Sequence, residues 1–152
     1  MPIGVHTRFM ANQPDPLNCA CFNTRKVARL LGQVYDRALE PSGLKNTQFT
    51  ALAVAESQGP ISITDLSRAM EIERTTLTRN LQVLQRDGLI RFGAGVDGRS
   101  KNVVVTAKGK RQFEGAFPLW AAAQEHVLGV FGGKRWQSLR GELDAMRASL
   151  HA

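Results

Sequence analysis

The 152-residue sequence predicts a mainly helical fold with one small β-hairpin, which is an α+β class. Apolar residues recur at helical spacing over most of the chain, whereas only 89–93 and 102–106 have the character of strands. Hydrophobic residues make up 43% and charged residues 22%, as in ordinary globular proteins. No apolar run reaches the roughly 18 residues of a membrane-spanning helix, and no secretory signal pattern is present. Two cysteines are too few for a disulfide scaffold, so we expect a cytoplasmic protein that contacts no membrane.

The N-terminal third is predicted to hold a flexible arm followed by two helices. Residues 1–16 contain three prolines and show no periodicity, which predicts the arm. From 17 to about 40, apolar residues at helical spacing alternate with charges, as in an amphipathic helix. We assign residues 17–45 to this N-terminal helical segment. Thr47 is the expected cap of a second helix, which Gly59-Pro60 ends.

The middle of the chain is predicted to form two short helices and a hairpin. Ser62 or Thr64 opens the first helix, and the second runs from about residue 73 to 86 and stops at Asp87-Gly88. The two strand-like runs follow, joined by a polar loop at 94–101. Two helices joined by a tight turn and followed by a hairpin describe a winged helix-turn-helix. We therefore predict this module within residues 46–106.

Residues 107–152 are predicted to form two further helices. Thr106 caps the first, which runs to about Phe131 with a bend at Pro118, and glycines at 132 and 133 separate the two. In the last helix, five large apolar residues follow one another at spacings of 3, 4, 3 and 4. Such a stripe on a charged helix needs a partner surface. The 107–131 helix of the same chain could provide it, but a chain of this length leaves little core to cover every stripe, so we expect a homodimer. The expected interface residues are Trp136, Leu139, Leu143, Met146 and Leu150.

The positive charge is concentrated in the centre of the sequence. Residues 62–111 carry ten Lys or Arg against five Asp or Glu, whereas residues 112–152 carry four of each. A basic centre between nearly neutral ends indicates a surface for a polyanion, with nucleic acid as the first candidate. The charge alone is equally typical of a solvated, solubilising face.

The second helix of the predicted pair has one face suited to DNA. Leu77, Leu81 and Leu84 are spaced to face the core. The opposite stripe offers hydroxyl, amide and guanidinium groups, which donate to phosphates and base edges. An ordinary solvated face would more often include carboxylates. The predicted DNA-contacting residues of this helix are Arg74, Thr75, Thr76, Thr78, Arg79 and Gln82.

The hairpin tip is predicted to be a second DNA contact. An arginine at a hairpin tip, here Arg99, can enter a narrow, electronegative minor groove. Asp97 would be repelled by phosphate, so its expected role is to orient an arginine through a charge-assisted hydrogen bond. Ser100 and Lys101 complete the predicted contacts. These residue types are also typical of a plain turn.

Five short motifs stand out in the centre of the chain: Ile63-Thr64-Asp65-Leu66, Glu73 to Leu81, Leu84 to Ile90, Asp97-Gly98-Arg99-Ser100-Lys101 and Val105-Thr106-Ala107-Lys108-Gly109. They resemble those of MarR-type transcriptional regulators, and the resemblance extends over about residues 17–150. Gly98 departs from the pattern, because the family often has an arginine there.

The resemblance implies a homodimer that binds a pseudo-palindromic, double-stranded DNA operator. The N-terminal helix and the last two helices would form the dimerisation region, with 73–86 in the major groove and 94–101 in the minor groove. Repression is the expected effect, and it would be relieved by a small aromatic or phenolic effector. The residues expected to line the effector cavity are Tyr35, Trp120, Gln124 and His126, although Trp120 also suits a core and His126 a solvated surface.

Cys19 and Cys21 suggest a different regulatory input. Thiols near a helix start, with Arg25 and Lys26 one turn later, can be reactive, which would suit redox or metal sensing. Small half-exposed thiols without a role are the alternative. No set of residues has the spacing of a metal site, a phosphate loop or a nucleophile elbow, so we expect no metal, no cofactor and no enzyme. A winged-helix module that binds protein instead of DNA remains the other alternative.

Overall fold

The chain is mainly helical with one small antiparallel sheet, as predicted. The computed structural model describes residues 14–95 and 98–151. Residue contacts divide the chain into two units, one ending at Gln33 and the other beginning at Val34. Within the described residues, no helix has both the length and the apolar character needed to cross a bilayer. The elements are a 3₁₀ turn at Pro16–Asn18, α1 (Ala20–Leu39), a 3₁₀ turn at Glu40–Ser42, α2 (Asn46–Gln58), β1 (Ile61–Ser62), α3 (Ile63–Met70), α4 (Arg74–Arg86), β2 (Ile90–Ala94), β3 (Lys101–Val105), α5 (Ala107–Phe131) and α6 (Gly133–Leu150).

Helix ends follow the predicted caps at two of three positions. The Ser62 hydroxyl accepts from the Asp65 N–H at 3.0 Å and opens α3, and the Thr106 hydroxyl accepts from the Gly109 N–H at 3.0 Å and opens α5. The expected cap at Thr47 is wrong, because α2 begins at Asn46. The Asn46 N–H instead donates to the Asp36 carboxylate at 2.7 Å, so a side chain from outside the helix satisfies that end.

The sheet has three strands in the order β1-β3-β2, all antiparallel. The predicted hairpin is present, with Ile90 paired to Val105 and Ala94 to Lys101. The third strand, β1, was not predicted, since two residues are too short to show an alternating pattern. Its Ile61 pairs with Val103, and both side chains are buried on the face of the sheet that adjoins the core.

The buried core lies in the second unit, between α2, α3, α4, α5 and the sheet. The three leucines predicted to anchor α4, Leu77, Leu81 and Leu84, are at most 1% exposed. An aromatic group joins α2 to α5, with the Phe49 ring stacked on Phe113 at 4.9 Å and on Trp120 at 5.7 Å between centroids. Because Leu77, Leu81 and Leu84 are buried in this core, the opposite face of α4 points to solvent.

Candidate nucleic-acid interface

Helix α4 presents a polar, basic face to solvent, opposite its buried leucines. The α4 sequence contains no Asp or Glu, and its N-cap residue is Glu73. The Thr78 hydroxyl donates to the Arg74 carbonyl at 2.7 Å, and its oxygen can still accept a hydrogen bond. Five predicted DNA-contacting residues line one shallow groove of about 430 Å³ along this face: Arg74, Thr75, Thr78, Arg79 and Gln82. The sixth, Thr76, is exposed beside the groove.

The turn before α4 fixes how the helix leaves α3. Glu71 adopts a left-handed conformation with φ of 50°, and its N–H donates to the Arg68 carbonyl. The Ser67 hydroxyl donates to the Ile72 carbonyl at 2.6 Å, across the same turn. Because the backbone groups of the turn are satisfied internally, the start of α4 has a defined position against α3.

The wing between β2 and β3 has a tight, hydrogen-bonded base. The Gly95 N–H donates to the Ser100 carbonyl at 2.8 Å, and a Cβ at Gly95 would collide with Ser100. The Lys101 ammonium lies 5.8 Å from the centroid of the Phe92 ring. Asp97, predicted to orient an arginine, lies outside the described residues. Arg99, Ser100 and Lys101 are the predicted wing residues that lie in the described part of the chain, and their role as DNA contacts stays a prediction.

A second cleft joins the wing to the start of α4. It has a volume of about 330 Å³, and both Arg74 and Arg99 line it. The remaining lining residues are Ser62, Ile63, Thr64, Ser100 and Lys101. Ser62, Ile63 and Thr64 were not predicted as part of the site, because their sequence pattern indicates only a helix start. The α4 groove and this cleft share Arg74, so the helix face and the wing form one basic surface.

The four residues predicted to line an effector cavity are not all brought together. The Tyr35 hydroxyl donates to the Gln124 amide oxygen, and burial raises the pKa of Tyr35 above its ordinary value of 10.0. Trp120 is half-buried and belongs to the aromatic group on Phe49. His126 is exposed on α5. The effector assignment therefore stays a prediction, with Tyr35 and Gln124 as its joined pair.

The two cysteines are exposed, free thiols at the beginning of α1. Cys19 lies just before the helix in an extended conformation, with φ of −64° and ψ of 126°, and Cys21 lies in its first turn. The Cys19 carbonyl accepts from the Asn23 side chain at 2.9 Å. Both thiols are accessible to reagents, and their function stays a prediction.

The apolar stripe of α6 is exposed. Leu139 and Leu143 are each 38% exposed, Met146 is 46% and Leu150 is 80% exposed, whereas Trp136 is half-buried. None of the residues of α6 is buried. In the first unit, Val27 and Leu30 of α1 are also exposed, at 53% and 62%. Exposed apolar stripes at such regular spacing are typical of surfaces that another chain covers.

The contacts of Glu71 and the contact of Thr106 with Gly88, all near the site, were missing from the sequence predictions. The Glu71 carboxylate accepts from His151 at 3.0 Å and lies 3.6 Å from the Arg147 guanidinium, both at the end of α6. The Thr106 hydroxyl, besides capping α5, donates to the Gly88 carbonyl at 2.7 Å. No local pattern could reveal these contacts, because the partners are 18 to 80 residues apart in sequence.

Known proteins are similar to this chain in both sequence and fold. The model of the MarR family matches residues 42–100. The HTH-type transcriptional regulator YwoH of Bacillus subtilis is 30% identical over 104 residues, which cover 68% of this chain and 76% of YwoH. The transcriptional regulator MosR of Mycobacterium tuberculosis, solved in complex with DNA, is 46% identical, with a TM-score of 0.79 over 88% of this chain and 96% of MosR.

A more distant structure has the same fold. BpsR of Bordetella bronchiseptica, whose DNA binding is regulated by 6-hydroxynicotinic acid, is 18% identical, with a TM-score of 0.79 over 89% of this chain and 97% of its own. The family match lies on the helices and wing that form the basic surface, and the YwoH and MosR similarities extend well beyond it. The chain therefore belongs to the MarR family of DNA-binding transcriptional regulators, which are not enzymes.

Proposed function

We propose that this protein is a homodimeric, cytoplasmic repressor that binds a pseudo-palindromic double-stranded DNA operator. The observation that carries the proposal is the continuity of the basic surface. The exposed face of α4 and the wing meet at Arg74, and α4 itself contains no carboxylate. A helix of this kind fits the major groove, and a wing on one side of it reaches the adjacent minor groove.

Each residue of the surface has a role that follows from its chemistry. Arg79 and Gln82 suit bidentate contacts to guanine and adenine. Thr75, Thr76 and Thr78 offer hydroxyls and methyl groups to base edges or phosphates, and Arg74 suits a phosphate at the helix start. In the wing, Arg99 would enter the minor groove, and Asp97 would orient it. Ser100 and Lys101 would contact the phosphate backbone of the DNA.

A dimer would cover the exposed apolar stripe of α6. Four of its five large apolar residues are at least 38% exposed, although they follow a regular helical spacing. Two copies joined through Trp136, Leu139, Leu143, Met146 and Leu150 would remove this surface from water. Joined in this way, the two basic surfaces could reach successive major grooves, which matches a pseudo-palindromic operator.

The regulatory signal has two candidates. The first is an aromatic or phenolic effector near the Tyr35–Gln124 hydrogen bond, with Trp120 and His126 on the same helix as Gln124. The second is oxidation or a thiophilic metal at Cys19 and Cys21, since both thiols are exposed. DNA-release assays separate them. An aromatic effector should release DNA from a variant with both cysteines changed to serine, whereas a thiol reagent should not.

DNA binding itself is tested by selection and salt. Fragments selected by the purified protein from genomic DNA should bind more tightly than random fragments, and affinity should fall steeply as salt rises, because phosphate contacts release counterions.

Arg79→Ala should lower the ratio of selected to random affinity by about tenfold. Arg140→Ala removes the same charge from α6, outside the basic surface, and should leave that ratio unchanged. A weak response to salt, with no preference among fragments, would instead support a protein-interaction module.

A further inference from the structure

The end of α4 is held directly by the start of α5. The Asp87 carbonyl accepts from the Lys108 ammonium at 2.7 Å. The Gly88 carbonyl accepts from the Thr106 hydroxyl at 2.7 Å, and the Leu89 carbonyl accepts from the Thr106 N–H at 3.0 Å. Three successive carbonyls after α4 therefore bond to two residues at the start of α5. We call this set of residues the α4–α5 joint: Asp87, Gly88, Leu89, Thr106, Lys108 and Gly109.

One hydroxyl connects the two helices. The Thr106 hydroxyl accepts from the Gly109 N–H at 3.0 Å, which caps α5, while it donates toward the carbonyls that follow α4. A hydroxyl has one proton and two lone pairs, so it can serve both roles at once. A residue that only accepts would cap α5 without bonding to Gly88.

The close approach depends on two glycines. A Cβ on the buried Gly109 would collide with the Leu89 carbonyl oxygen, so α5 rests directly on the backbone that follows α4. Gly88 has φ of 73°, a left-handed conformation that favours glycine and turns its carbonyl toward Thr106. Backbone contact without intervening side chains leaves the joint little freedom to slide.

Helix α5 is itself fixed beyond the joint. The Lys110 ammonium bonds to the Glu56 carboxylate of α2 at 3.0 Å, and Phe113 stacks on Phe49 of the same helix. The Gln112 side chain donates to the Ser42 carbonyl at 2.9 Å. The joint thus connects α4 to a helix that has its own anchors, and the end of α4 takes its position from α5.

We propose that Thr106 and Lys108 are positioning residues for DNA recognition: through the α4–α5 joint they fix the angle at which α4 presents its polar face. The inference rests on the proposed function, in which that face contacts bases. Neither residue needs to touch a base. A tilt of α4 misaligns bidentate contacts to bases more than it affects contacts to phosphates, because direction matters more for the former. Loss of the joint should therefore lower selectivity before it lowers overall DNA affinity.

Three substitutions at Thr106 separate positioning from capping. Thr106→Ser keeps both the donor and the acceptor, Thr106→Asp keeps only the acceptor that caps α5, and Thr106→Val removes both. The measurement is the ratio of affinities for a fragment selected by the wild-type protein and for a random fragment of equal length. This ratio is taken well below the unfolding temperature, and the unfolding free energy is measured in parallel.

We expect Thr106→Ser to keep the wild-type ratio within about twofold, and Thr106→Val and Thr106→Asp to lower it by about tenfold, the cost of one poorly matched base pair. A ratio retained by Thr106→Asp but lost in Thr106→Val would show that capping alone matters and would overturn the proposal. A ratio retained by all three variants would also overturn it. If wild-type protein does not distinguish the fragments, the proposed function fails first, and this inference fails with it.

Lys108→Met provides a test that leaves the cap of α5 in place, because Thr106 makes that cap and the exposed Lys108 takes no part in it. It should lower the ratio in the same direction as Thr106→Val. Arg111→Met, which removes a positive charge from the same exposed part of α5, is the matched control and should leave the ratio unchanged. Equal ratios for Lys108→Met, Arg111→Met and wild type would overturn the role of Lys108.

Discussion

Helices α4 and α6 both carry a regular apolar stripe, but the chain covers only one of them. Leu77, Leu81 and Leu84 of α4 are at most 1% exposed, whereas Leu139 and Leu143 of α6 are 38% exposed. Helix α4 packs against α2, α3 and β2, while α6 packs on α5. The same periodicity thus serves two purposes. In α4 it completes the core of one chain, and in α6 it leaves an apolar face that a second chain can cover.

Placing a charge on the exposed stripe should have the largest effect. Leu143→Glu would bury an unpaired carboxylate in the proposed dimer interface, at a cost of about 4 kcal/mol. Light scattering should then report a monomer at concentrations where the wild type is a dimer. Ser138→Glu adds the same charge to the same helix away from the stripe and should remain dimeric. A dimer of unchanged stability in Leu143→Glu would contradict the interface.

Truncating a leucine in each stripe tests the comparison itself. Leu81→Ala should lower the free energy of unfolding by about 3 kcal/mol at every protein concentration, since it opens a cavity in a covered core. Leu143→Ala should cost less, and its cost should fall on dilution below the dissociation constant of the dimer, because only the part of Leu143 that the partner covers depends on dimerisation. Urea unfolding at two concentrations measures both. The comparison fails if the costs of the two substitutions depend on concentration in the same way.

The sequence predicted the helices and the polar face of α4 because both depend on local periodicity. Leu77, Leu81 and Leu84 share one face at helical spacing, so the residues opposite them had to be exposed. The helix starts at Ser62 and Thr106 were predictable for a similar reason, since a cap bonds within its own first turn.

What the sequence could not predict depends on contacts between distant segments. Ser62 and Thr64 join the cleft beside Arg99 only because β1 pairs with β3. The bond from Thr106 to Gly88 needs α5 to meet the end of α4, 18 residues away in sequence. Helix caps and apolar periodicity can therefore be predicted from the sequence, whereas contacts between distant elements can be found only from the fold.

Removing one arginine from the wing and one from α6 should change DNA affinity by different, smaller amounts. Arg99→Ala should weaken binding to a selected fragment by about tenfold, or ~1.4 kcal/mol, because it removes the proposed minor-groove contact. Arg140→Ala on α6 makes the same change in charge and should alter affinity by less than about twofold. Fluorescence anisotropy at fixed salt measures both, and light scattering should show that both variants remain dimeric. Equal affinities would remove Arg99 from the interface.

The smallest effect is expected at exposed ion pairs, which occur both between α2 and α5, beside the buried core, and on α6. Such pairs contribute little in either place, because water and salt screen them. Lys110 on α5 lies 3.0 Å from Glu56 on α2, and Arg140 lies 4.0 Å from Asp144 on α6. The hydrogen bond to Glu56, together with the charges of Glu56 and Glu114, raises the pKa of Lys110 above 10.5.

A raised pKa on a lysine gives the pH dependence its sign. The stabilisation from Lys110 is fully present below pH 10.5 and is lost as the pH rises through the higher pKa of the folded state. Glu56→Gln should therefore unfold slightly more easily than wild type at pH 8, and the difference should disappear at strongly alkaline pH. Asp144→Asn is the matched change on α6, where the partner of the carboxylate is an arginine and not a lysine, so its small difference should not follow the same pH dependence. Thermal unfolding across the series checks this, and a Glu56→Gln difference that grew with pH would contradict the assigned pairing.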